Sequence, residues 1–124
     1  MKNPVSNLIN RNLIIFLTIL LSVLACEKFN KSDILGTWIS TDYADTLEFV
    51  DNSNFYRSTA IMHHDHYDYR LEKDSIEIRY RGYLYIWVEP TKHSYELNGN
   101  ILMLDLTNTN CYGFNSEKIF YNKE

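Results

Sequence analysis

The chain has 124 residues, 45% of them hydrophobic and 15% aromatic, with a formal net charge of −4. Its only basic residues before Glu27 are Lys2 and Arg11, and every acidic residue follows, so Glu27 onward carries ten Lys and Arg against 16 Asp and Glu, a net of −6. That acidity argues against nucleic-acid binding and against electrostatic adhesion to anionic lipid, and the length suits one modest domain.

In chain order, Lys2 and Arg11 form a basic head, and Leu13 to Leu24 is an apolar run broken only by Thr18 and Ser22. A membrane-spanning helix needs roughly 20 apolar residues; this run is shorter and ends at Glu27-Lys28, the pattern of a secretory signal. Val23-Leu24-Ala25-Cys26 resembles a bacterial lipobox. The resemblance implies a signal peptide over 1–25, cleavage before Cys26, diacylglycerol on the Cys26 thiol and acylation of the new amine. Two or more acyl chains anchor stably where one holds only marginally. The implied location is the bacterial cell envelope, with the domain exported and lipid-anchored to a membrane; the outer membrane is placed ahead of the inner, and the lipobox itself does not choose between them. Residues 26–33 hold the lipidated cysteine and a short linker: the six residues Glu27 to Ser32, fully extended, reach at most about 20 Å, so the domain sits close to the bilayer. With Cys26 acylated, Cys111 has no disulfide partner and reads as a small, half-buried side chain.

The stretch 34–124 reads as β structure throughout. Leu47 and Phe49 share a face; Asp51 to Asn54 is a turn. Phe55 to Met62 follows as a strand. Tyr67, Tyr69 and Leu71 alternate with Asp68, Arg70 and Glu72, and Ile76, Ile78 and Tyr80 alternate with Glu77, Arg79 and Arg81, the period of two of a strand with one buried face. Tyr83 to Val88 is apolar on both faces and reads as a further strand. Asn98-Gly99 is a hairpin turn, Ile101 to Leu106 leaves it, 107–113 is a polar loop, and Glu117 to Tyr121 is the last strand. About eight strands with regular turns and no helical period after the signal predict an all-β, antiparallel up-and-down barrel, preceded by an N-terminal signal helix. Closure removes exposed edges.

Gly36-Thr37-Trp38 at the head of the first strand resembles the Gly-x-Trp signature of lipocalins, and the stretch 34–122 is similar to the small lipocalin-like domains of bacterial lipoproteins. The resemblance implies that Gly36 and Trp38 are structural, with Trp38 plugging the closed end, and that the open end can hold a small apolar ligand. The arginine that often stacks on this tryptophan in lipocalins is missing; the last strand offers only Lys118 and Lys123.

Two surface features are candidate sites. In Tyr83-Leu84-Tyr85-Ile86-Trp87-Val88, alternation puts Tyr83, Tyr85 and Trp87 on one face, and an exposed aromatic row marks a surface for a partner protein or glycan. In His63-His64-Asp65-His66, His64 and His66 join Asp68 on the outer face of one strand. Histidines at i and i+2 with a carboxylate can chelate a metal ion, and a polar hairpin tip is the plainer reading. His93 is isolated. Asp42, Asp45 and Glu48 read as solvated positions. No nucleophile, zinc or phosphate-loop motif is present, so no enzyme activity and no cofactor are expected. Two readings follow: a lipid-anchored carrier of a small apolar ligand, placed first, and an interaction module that docks an envelope protein or glycan on outward aromatics over a solid barrel. Of the 17 aromatic residues after Cys26, many must fill so small a barrel.

Overall fold

The computed structural model describes residues 14–15, 29–83 and 86–124. The expected signal peptide and the lipidated Cys26 lie outside the described residues.

Eight strands form one closed antiparallel barrel in simple sequence order: β1 (Gly36–Ser40), β2 (Asp45–Phe49), β3 (Asn54–Thr59), β4 (Asp65–Leu71), β5 (Ser75–Tyr80), β6 (Thr91–Asn98), β7 (Ile101–Asp105) and β8 (Lys118–Lys123). Pairing of β1 with β8, Trp38 opposite Lys123 and Ser40 opposite Tyr121, closes the ring. The all-β up-and-down barrel expected from the alternation is therefore the fold.

The expected strand over Tyr83 to Val88 is absent from its described residues. Between β5 and β6, residues 81–83 and 86–90 carry no strand structure, and Leu84 and Tyr85 lie outside the described residues. β5 already pairs with β4 on one edge and β6 on the other, so the ring offers no edge to a ninth strand. Gly82 turns the chain out of β5; a Cβ there would overlap the Tyr80 ring and hydroxyl. A smaller correction concerns the hairpin. Asn98 pairs with Ile101, so the turn is Gly99-Asn100 rather than Asn98-Gly99. Gly99 has φ +58, as the first central residue of a type II′ turn requires.

The up-and-down order sorts the connections by end. At one end lie the short links 50–53, 72–74 and 99–100, together with a 3-10 turn (Lys31–Ile34) that leads into β1. Asn30 caps this turn, accepting from the Ser32 amide at 3.1 Å. The turn buries Ile34, and its carbonyl accepts from the Trp38 indole N–H at 2.7 Å. Gly36 adopts φ +118, a conformation open to glycine and costly for other residues, and a Cβ would press on the Lys123 side chain at 3.2 Å. Lys123 holds its ammonium 5.3 Å from the Trp38 ring centre and donates to the Asp33 carbonyl at 3.3 Å. This end is closed.

Inside, the inward residues of each strand fill the barrel. Phe49, Phe55, Tyr67, Tyr69 and Tyr80 form a continuous aromatic chain with ring centres 4.9–5.3 Å apart, and Leu47, Ile76, Ile78, Leu102 and Leu104 complete the core. The phenol hydroxyls reach backbone carbonyls at the ends: Tyr69 donates to Asp51 and Tyr95 to Glu72, both at 2.7 Å. Burial raises the phenol pKa of Tyr69 to about 12. Each ring is thus buried while its polar tip is satisfied.

Candidate functional site

At the other end stand the connections 41–44, 60–64, 81–90 and 106–117. The longest of them folds back into the barrel mouth. Leu106 and Cys111 are buried, Phe114 packs 5.5 Å from the Tyr67 ring, and Tyr112 packs 4.7 Å from Tyr80. Gly113, at φ +84, lets the chain pass so close to the Tyr67 hydroxyl that a Cβ would overlap it. Tyr67 donates to the Tyr112 carbonyl at 3.1 Å. Cys111 is therefore a core side chain, and burial lifts its thiol pKa to about 11.

Beneath this plug lies a charge pair that alternation alone does not disclose. Asp45 and Arg57 are each only 7% exposed. Arg57 Nε donates to both Asp45 oxygens at 3.0 and 3.1 Å, its Nη1 donates to the Gly113 carbonyl, and its guanidinium lies 3.8 Å from the Phe114 ring centre. Tyr121 donates to Asp45 Oδ2 at 3.0 Å, and Ser40 Oγ accepts from the Asp45 amide while donating to Asp42. Burial alone would lower the Arg57 pKa; the neighbouring Asp45 carboxylate outweighs it, and the net direction is upward. The reading of Asp45 as a solvated turn residue is corrected: it is the buried partner of an inward arginine. A cleft of about 420 Å³ lies above the pair, walled in part by Thr59, Ile61, Met62, Asn115 and Ile119.

The rim of this end is apolar and exposed. Tyr43 (85%), Ile61 (89%), Tyr83 (88%) and Trp87 (71%) project from three connections, and Tyr112 joins them from the fourth. Of the expected row, Tyr83 and Trp87 are exposed and Tyr85 lies outside the described residues. Tyr83 and Trp87 sit on an irregular connection, so strand alternation does not order them. Trp87 donates to Glu89 at 2.7 Å, and Arg79 lies 5.5 Å from its ring centre.

The histidine cluster lies on the outer wall below the rim. Tyr67, Tyr69 and Leu71 point inward, and His66 and Asp68 outward, as alternation requires. His64 precedes the strand at φ +60. The expected metal set of His64, His66 and Asp68 does not assemble. Among the described residues no three His, Cys, Asp or Glu side chains are grouped to hold a metal. Asp68 is drawn away to Arg79, its cross-strand partner, at 2.8 and 3.2 Å, and both imidazoles stack on Tyr56, at 4.1 Å for His64 and 5.1 Å for His66. His93, assigned nothing from sequence, points into the barrel and meets Thr91 Oγ1 at 2.7 Å.

The chain matches no family model, no curated protein and no solved structure.

Proposed function

We propose that this protein is a lipid-anchored, non-catalytic recognition module of the bacterial envelope, built on a lipocalin-like barrel, that docks a partner protein or glycan on the rim of its open end. The observation that carries the reading is the division of the barrel. Its interior is occupied by its own aromatic side chains and its mouth is plugged, while exposed apolar residues of four connections gather at the end opposite the chain's entry. An anchor at Cys26 would enter at the closed end and leave this rim facing away from the bilayer. Exposed apolar clusters of this kind mark interaction surfaces. The lipocalin resemblance gains support from Lys123, which lies over Trp38 where an arginine is usual in that family.

The carrier reading has one observation in its favour, the cleft of about 420 Å³ over Arg57 and Asp45. Its charged floor and open form suit an apolar ligand poorly.

Native mass spectrometry of the full, lipid-modified chain, released from detergent after exposure to envelope extract, tests the choice. The expected result is capture of a protein or glycan that is lost in the Y83A/W87A double variant. A retained small apolar molecule, unaffected by that variant, would overturn the recognition reading in favour of a carrier.

A further inference from the structure

Between the histidine cluster and the start of the 81–90 connection is a surface cleft of about 390 Å³, lined by Tyr56, His64, His66, Arg81, Gly82 and Tyr83. In a chain with an excess of acidic residues, this lining contains none. Its parts are held in place. Arg81 donates its backbone N–H to the His66 carbonyl at 2.8 Å, and both residues line the cleft. The Arg81 Nε lies 3.8 Å from Asp68, whose closer bonds go to Arg79. The two Nη groups of Arg81 make no hydrogen bond among the described residues. A bidentate donor pair is therefore free beside the cleft.

The His66 ring is oriented as well. Asn54 Nδ2 donates to both oxygens of Asp51 at 3.0 and 3.1 Å, which turns Asn54 Oδ1 to His66 Nε2 at 2.8 Å. Nε2 must then carry a proton, and the neutral ring presents Nδ1 as an acceptor. His64 keeps its left-handed backbone through a bond from its amide to Ser58 Oγ at 3.2 Å and through its stack on Tyr56. A backbone of this kind persists only where its surroundings hold it. Tyr83, almost fully exposed, adds a free ring and a free hydroxyl.

A free guanidinium fork, an oriented imidazole acceptor and the exposed phenol ring of Tyr83 within one small cleft match three features of one ligand: an anionic group, a hydroxyl and a C–H-rich ring face. We propose that this cleft binds a carboxylate-bearing sugar unit, with Arg81 pairing the carboxylate, His66 accepting from a ring hydroxyl and Tyr83 stacking on the sugar face. The proposal rests on the recognition reading above and names the chemistry of one part of that surface.

The test is calorimetric titration of the full, lipid-modified chain in detergent with three probes: a glucuronate-containing oligosaccharide, a neutral glucose oligosaccharide of equal length, and inorganic phosphate. Histidine ring signals are followed by NMR in parallel. The acidic oligosaccharide is expected to bind at least about tenfold more tightly than the neutral one and to move the His66 signals; R81Q removes about that factor without lowering Tm. R70Q, which removes an exposed guanidinium outside the cleft, leaves binding unchanged. Equal affinity for the neutral sugar, equal affinity for bare phosphate, insensitivity to R81Q, or no heat at millimolar ligand would each overturn the assignment. If any of these occurs while Y83A/W87A still abolishes envelope capture, the acidic-sugar assignment alone falls. If capture survives Y83A/W87A, the recognition reading itself has failed.

Discussion

The Asp45–Arg57 pair places two opposite charges inside a small barrel, each with further partners in Tyr121 and Gly113. Removing one member of such a pair strands the other in a low-dielectric setting and typically costs 3–5 kcal/mol, whereas replacing both with apolar groups can be nearly neutral. R57M is therefore expected to lower unfolding free energy by about 3 kcal/mol or more, and R57M/D45L to recover a good part of it. Urea denaturation of the three proteins checks this, and an R57M loss within experimental error would show the pair to be solvated. His93 makes a second prediction. Burial lowers its pKa from the ordinary 6.5, with Asp105 opposing in part. Above 6.5 neither the folded nor the unfolded chain protonates it, so it adds no pH dependence. As pH falls below 6.5 the unfolded chain takes up the proton first, and stability declines until the folded-state pKa is passed. That component of the pH profile is expected to vanish in H93Q. Position 57 falls on the inward face by simple alternation with Phe55, so a signal existed in the sequence. An inward arginine is unexpected on burial grounds, and its carboxylate partner twelve residues away is settled only by the β2–β3 register.

The 106–117 connection decides whether the barrel is open. Its stretch 107–113 reads from sequence as a polar loop, yet Cys111 and Phe114 pack inward and Gly113 passes against Tyr67 and Arg57. An alanine at 113 must adopt a left-handed backbone, at about 1–2 kcal/mol, and also displace the Tyr67 hydroxyl. G113A is expected to loosen the plug with little loss of strand structure. The Cys111 thiol, now buried and held protonated at neutral pH, would then react with a maleimide far faster than in the parent chain. Unchanged labelling in G113A would show that the plug does not depend on this close approach. At the closed end the weights differ. W38A, at a fully buried position, is expected to cost 3–5 kcal/mol, while K123A removes a cation–π contact worth about 0.5–1 kcal/mol. Thermal melts of the two variants compare them, and a K123A loss as large as that of W38A would mean that the lysine, not the indole, holds the end shut.

For the whole molecule, the connectivity separates a closed end, where the chain enters through Lys31–Ile34, from an open end that carries the apolar rim. If the chain is anchored through Cys26 as proposed, fluorophores attached at S53C and I61C in membrane-bound protein are expected to differ in exposure to a lipid-borne quencher. The closed-end label at 53 is quenched and the open-end label at 61 is not; the buried Cys111 stays unlabelled. Equal quenching would mean that the barrel lies on its side. The fold class and the inward face of the clean strands were legible in the sequence, because a period of two is a local property of the chain; Gly36 was marked only by the resemblance of Gly36-Thr37-Trp38 to a lipocalin signature, and its positive φ came with the structure. The sequence also carried the outward placement of His66 and Asp68. Only the folded ring keeps Tyr83 and residues 86–88 out of a strand, since closure is a global condition that leaves no edge to pair with. Tertiary structure alone decided that Asp68 pairs with Arg79, that Asp45 pairs with Arg57, and that Lys123 covers Trp38. Each of these depends on which residue lies opposite on a neighbouring strand, and that partner is chosen by register and closure, not by the local pattern.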